Sequence, residues 1–158
     1  SFDQVKWFGR GPHESYWDRK QSASIGIYEG SVWEQSFQYV RPQETGNKTD
    51  IYWMALYNSN NGIMAVGLPK FDGSVHQYPY EDLDYYPNSQ KHVKIDLVPK
   101  DHVDWLIDYK QMGVGGDNSW GAKPMKKYTL YPDVYEHSFM LLPFKTGKNL
   151  NNLSKKRI

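Results

Sequence analysis

No cysteine occurs among the 158 residues. That excludes disulfide staples, Cys-ligated zinc, iron–sulfur clusters and a thiol nucleophile together. Compartment stays open, because a Cys-free chain suits a reducing and an oxidising environment equally. Apolar runs are short as well, a few residues at most against the ~20 that a membrane helix needs, so no spanning helix and no membrane partner are expected. Nor is there an excess of charge: Lys and Arg number 19 against 18 Asp and Glu, a formal net charge of +1. Five of the bases, Lys145, Lys148, Lys155, Lys156 and Arg157, follow Phe144, where no acid occurs, leaving residues 1–144 with 14 bases against 18 acids, net −4. Binding nucleic acid needs clustered bases to neutralise phosphates. The body has no such cluster, so nucleic acid is not a favoured partner.

What the chain does have is aromatics: 6 Trp, 13 Tyr and 6 Phe, 16% of the residues. Such side chains fill β-sheets, and Trp and Tyr also stack on sugars or bases through an apolar face and a polar edge. With 39% hydrophobic residues and 13 glycines the composition is that of a folded globular chain, and the length is that of one domain. The opening Ser1-Phe2-Asp3-Gln4 carries no start signal and reads as a cut from something longer.

Short strand-like segments recur between turn residues. Val5–Phe8 precedes Gly9-Arg10-Gly11-Pro12, and Ala23–Tyr28 alternates in polarity before Glu29-Gly30. Ile51–Tyr57 and Ile63–Leu68 flank Asn58-Ser59-Asn60-Asn61-Gly62 as a hairpin. Val103–Lys110, Tyr128–Tyr131 and Tyr135–Leu142 supply further strands, and only Tyr80–Tyr86, bracketed by Pro79 and Pro87, fits a short helical turn. The pattern predicts an all-β fold, an antiparallel β-sandwich over residues 1–144. The basic tail 145–158, whose apolar residues are Leu150, Leu153 and Ile158, is expected to fray as a disordered end.

Candidate chemistry is sparse. Gly113-Val114-Gly115-Gly116-Asp117 lacks the Lys-Ser/Thr and the helix of a phosphate loop and is expected to form a turn presenting Trp120. His13, His76, His92, His102 and His137 are scattered without metal-ligand spacing, so no metal is expected. Glu81, Asp82 and Asp84 crowd one stretch, a poor arrangement for glycosidase carboxylates that must flank a sugar from opposite faces. Asn47-Lys48-Thr49 and Asn152-Leu153-Ser154 match the glycosylation sequon, which acquires meaning only in a eukaryotic secretory pathway.

Three blocks carry a resemblance. Trp7-Phe8-Gly9-Arg10-Gly11-Pro12-His13-Glu14-Ser15-Tyr16-Trp17-Asp18-Arg19, Tyr39-Val40-Arg41-Pro42-Gln43-Glu44-Thr45-Gly46-Asn47 and Met112-Gly113-Val114-Gly115-Gly116-Asp117-Asn118-Ser119-Trp120-Gly121 resemble, in order, signatures of the C-terminal domain of family 2 glycoside hydrolase β-galactosidases. The resemblance implies a galactose-mutarotase-like supersandwich, of which this chain is the C-terminal half, beside a catalytic (β/α)₈ barrel. Both catalytic glutamates of the family lie in that barrel, so no catalytic residue and no cofactor is assigned to this chain, and the fragment alone is expected to be inactive. Trp120 is the position that carries over, as an apolar platform for a galactoside substrate. Asp117 and Asn118 stand beside it in the substrate-binding set, with Ser119 helping to shape the loop. Arg41, Glu44 and Asn47 are expected to give structural support. Strands lacking neighbours imply self-association.

Two other functions fit parts of the sequence. A free-standing carbohydrate-binding module uses exposed Trp and Tyr on a β-sandwich. A mutarotase-like epimerase needs a general acid and base facing one sugar, for which Glu44 with His76 or His92 are the pairs on offer.

Overall fold

The computed structural model describes residues 1–40, 43–83, 97–118 and 120–156. They form one open antiparallel sheet of six strands: β1 (Gln4–Gly11), β2 (Ser24–Ser31), β3 (Lys48–Tyr57), β4 (Asn61–His76), β5 (Asp104–Asp108) and β6 (Ser138–Lys145). The order is β2-β1-β3-β4-β5, and β6 also pairs with β4. β4 reaches both because it is 16 residues long. Its first half, Asn61 to Leu68, faces β6, and its end, Asp72 to His76, faces β5. The all-β antiparallel expectation is met, and the sheet is one layer of the kind that a sandwich contains.

Both faces of the sheet are apolar. Side chains alternate across a strand, so Val5 and Trp7 of β1, Met54 and Leu56 of β3, and Ala65 of β4 gather on one side with Ile51, Phe71 and Val75. Trp53 and Ala55 of β3 and Met64 and Val66 of β4 gather on the other. The asparagine turn foreseen between β3 and β4 is closed by Asn58, whose Oδ1 accepts from the N–H groups of Asn60 at 2.9 Å and Asn61 at 3.0 Å.

Register between β3 and β4 shifts around Asp50. Asp50 has φ 54°, the left-handed region that Asp tolerates better than most side chains. The carboxylate accepts from Arg10 Nε at 2.7 Å and Lys20 Nζ at 3.1 Å, with Lys70 Nζ at 3.5 Å. Partial burial opposes ionisation there, but these cations outweigh it and hold the carboxyl at about 2.

Three expectations change. Tyr128–Tyr131 forms no strand; Lys126–Tyr128 is a single 3₁₀ turn, because the Tyr128 carbonyl accepts from Gly113 N–H and its ring meets the edge of Trp17. The last strand starts at Ser138 rather than Tyr135 and runs through Pro143 to Lys145. A proline is tolerated there since β6 is bonded on one side only. Residues 145–156, expected from composition to fray, return onto the sheet as helix α1 (Leu150–Leu153). Asn149 caps it, Leu150 is buried against the Trp53 face, and Trp53 Nε1 donates to Asn151 Oδ1 at 3.1 Å. Lys155 and Lys156 remain exposed beyond it, and Arg157 and Ile158 lie outside the described residues.

Leu150→Ala is expected to cost about 2 kcal/mol or more, the range for a buried Leu cut to Ala. Urea unfolding checks this: the midpoint should fall with little change in slope.

Candidate functional site

The segment between β1 and β2 joins the three sequence blocks. Asp18 lies midway along it with a side chain only 4% exposed. Its Oδ1 accepts from Val114 N–H at 3.0 Å and its Oδ2 from Gly115 N–H at 2.9 Å. Arg19 adds a second hold: Nη2 donates to the Gly115 carbonyl and lies 3.2 Å from Asp117 Oδ1, while Nη1 is 3.6 Å from Asp18 Oδ2. Two glycines make this approach possible. A Cβ at Gly113 would fall 2.8 Å from the Asp18 carboxylate and 2.9 Å from Tyr128 Cβ, and Gly115 has φ 63°.

Beyond the clamp the loop turns outward. Asn118 Oδ1 accepts from Trp120 N–H at 2.8 Å, an Asx turn that sets where the tryptophan leaves the backbone. The indole is 93% exposed. Trp120, Asn118 and Asp117 thus share one exposed loop, Asn118 bonded to the Trp120 backbone and Asp117 to Arg19. Ser119 lies outside the described residues. At the base of the loop, Lys110 Nζ sits 3.9 Å from the centre of the Trp17 ring, whose edge meets Tyr128 at 5.8 Å.

The second block is held by Glu14. Its carboxylate accepts from Gly46 N–H at 2.7 Å, Thr45 Oγ1 at 3.1 Å, Tyr16 OH at 3.4 Å and Tyr39 OH. Burial and this bond push the Tyr39 hydroxyl up to about 12. Ser15 completes the seam: its N–H donates to the Asn47 carbonyl at 2.8 Å, and its own carbonyl accepts from Asn47 Nδ2 at 2.9 Å. Asn47 is therefore bonded across to the first block, while Arg41 lies outside the described residues. Lys48, fully buried, donates to the Gly46 carbonyl at 3.1 Å and stands 5.2 Å from the Trp7 ring centre. Burial lowers it to about 8 against the pull of Glu14.

Glu44 and His76, the pair considered for ring-opening chemistry, are linked through Tyr80. The Tyr80 hydroxyl lies 3.1 Å from Glu44 Oε2 and 3.1 Å from His76 Nε2, and His76 Nδ1 is 3.0 Å from Ser36 Oγ. His76 is 1% exposed, so the group that would have to face a sugar is enclosed by protein. His92 and Asp84 are outside the described residues. Burial raises the Glu44 carboxyl to about 7, helped by the charges of Asp108 and Glu14 and opposed by the hydroxyls of Tyr80 and Tyr16. Among the described residues no group of three or more acids and histidines is arranged to hold a metal ion.

Glu14, Asp18 and Arg19 escaped the sequence reading as loop holders. Their signal was present, since all three are fixed positions of the first signature, but nothing local said which loops they hold: those partners lie 25 to 98 residues away.

Comparison with known proteins agrees with the three-block reading. The family model of the β-galactosidase small chain matches residues 1–141. A β-galactosidase of Priestia megaterium is 44% identical over 145 residues, 90% of this chain. Those of Pseudoalteromonas haloplanktis and Vibrio cholerae are 33% and 34% identical, each over 87% of it. The chain belongs to the β-galactosidase small-chain family. It spans 12–14% of the length of these three relatives.

The raised Glu44 carboxyl has a sign. A group that holds its proton more tightly when folded contributes full stability below its ordinary value, here 4.5, and loses it as pH rises through about 7. Glu44→Gln, which keeps a polar partner for Tyr80, should therefore unfold at higher urea than the parent at pH 8 and show no such gain at pH 4.5. Asp72, also raised by burial, to about 6, titrates in an overlapping range and leaves its own slope in both proteins. Equal gains at the two pH values would contradict the assignment to Glu44.

Proposed function

We propose that this chain is the non-catalytic C-terminal sandwich component of an enzyme hydrolysing terminal β-D-galactosides, and that Trp120 completes the sugar pocket of a (β/α)₈ barrel carrying two catalytic glutamates. Membership of the β-galactosidase small-chain family supports the enzyme class. The observation that carries the role of Trp120 is its pose: a large apolar ring, 93% exposed, on a loop tied down by the buried carboxylate of Asp18. An indole face covers the C–H face of a pyranose ring while polar groups elsewhere fix orientation. Asp117 and Asn118 shape the edge of the same site.

In the galactoside-hydrolysing protein, Trp120→Ala should raise KM for a nitrophenyl galactoside roughly tenfold, about 1.4 kcal/mol of lost ring contact, with the melting temperature unchanged. A large loss of melting temperature at constant KM sinks the platform role. Titration calorimetry of the chain with galactose and lactose separates this reading from a free-standing carbohydrate-binding module. One wall of a pocket gives no measurable heat, whereas a self-sufficient module binds.

The partners of this reading are the galactoside, the barrel and a second copy of the chain. Among the described residues β2, β5 and β6 are each bonded along one edge only, and open edges offer unpaired backbone donors and acceptors. Sedimentation velocity of the chain at micromolar concentration should show dimers or larger species, and a lone monomer boundary counts against pairing of the edges.

A further inference from the structure

We propose that Asp18, supported by Arg19, is a positioning residue that sets the pose of Trp120; for its effect on galactoside binding the proposal rests on the platform role given above. Trp120 is almost fully exposed, so its direction is inherited from its backbone. That backbone is held by polar contacts at several points among the described residues. Asp18 takes two successive N–H groups, of Val114 and Gly115. Arg19 takes the Gly115 carbonyl and the Asp117 carboxylate, and Asn118 Oδ1 takes the Trp120 N–H. From residue 113 to 120 only Gly113 and Gly115 are buried among the described residues, which leaves apolar packing little part in fixing the loop.

A carboxylate is the group this position needs. Both of its oxygens accept, so it receives two parallel N–H donors without an unmatched atom. A carboxamide in its place could receive only one, and its NH₂ would set a donor against the other N–H. Asp18→Asn therefore frees one end of the clamp while preserving size. If the loop then holds Trp120 in the sugar-accepting pose for about one tenth of the time, the apparent affinity falls about tenfold. Arg19→Gln removes the second hold from a side chain that is 46% exposed, which makes it the change that spares the fold.

The test labels the intact protein with 5-fluorotryptophan, the Trp120 resonance being assigned by its loss in Trp120→Phe and those of Trp7 and Trp53 in the same way. Both variants should shift or broaden the Trp120 line and leave the core lines of Trp7 and Trp53 in place. KM for a nitrophenyl galactoside should rise about tenfold for Asp18→Asn and less for Arg19→Gln, with kcat within twofold. An unmoved Trp120 line in Asp18→Asn overturns the proposal. Should that variant lose its core lines, Arg19→Gln decides alone by the same criterion. A Trp120 line that moves while Trp120→Ala itself leaves KM unchanged upholds the positioning and removes the platform role. The converse, a KM raised by Trp120→Ala but untouched in a folded Asp18→Asn, retains the platform and rejects Asp18.

Discussion

Two carboxylates on the connection between β1 and β2 hold what the sheet alone cannot. Glu14 receives the segment leading into β3, and Asp18 receives the loop that carries Trp120. Fixing one residue of backbone costs about 1–2 kcal/mol, and a loop with few buried side chains recovers little of that from apolar contact. Hydrogen bonds to a charged group contribute about 1.5–3 kcal/mol each, enough for a few of them to order a short segment. The connection is itself rigid at its start, because β1 is bonded to a neighbour on each side and Val5 and Trp7 anchor it in the core. Rigidity thus passes from a packed strand to a carboxylate and from there to loops remote in sequence.

The sheet is built to be covered on both faces. An antiparallel sheet with one wet face shows apolar and polar residues alternating, yet Trp53, Met54, Ala55 and Leu56 follow one another in β3 and all are buried. On one side α1 supplies part of the cover through Leu150 and Leu153. Exposed apolar side chains nevertheless remain on the outer strands, Ile25 and Ile27 of β2 and Phe139 and Leu141 of β6 among them. One layer with such strands agrees with relatives that are about seven times as long as this chain.

Strand alternation, the asparagine turn and the glycine-rich loop were legible because they depend on residues close together in sequence. The β3–β4 hairpin is the clearest case: Asn58 closes the turn with its own side chain, so a local signal sufficed. Strand ends were less legible. β1 runs on through Gly9, Arg10 and Gly11, which look like a turn, because they pair with Gly26, Ile25 and Ser24 of β2, and Arg10 is also bonded to Asp50, 40 residues away. Tyr128 has strong strand preference but spends its carbonyl on Gly113. Leu150 and Leu153 looked too few to hold a tail, and what holds them is the Trp53 face prepared by β3. Of the candidate site, the exposed loop presenting Trp120 was legible, whereas the clamp depends on contacts between the first and third blocks that no spacing within either reveals.

A single exposed apolar side chain is ordinary on a protein surface, so exposure of Trp120 by itself says little. Its support says more. A free surface residue needs no buried carboxylate under its backbone, no glycine where a Cβ would strike that carboxylate and no arginine closing the carbonyl side. These features fix the backbone before any ligand arrives, and a ligand meeting a fixed ring does not have to supply the ordering entropy of the loop. For the galactoside of the proposed function, a modest stacking gain is easily cancelled by the cost of ordering a loop. On the proposed platform role, the clamp of Asp18 and Arg19 and the exposed indole of Trp120 act as one device, in which the carboxylate meets the entropic cost and the ring makes the contact.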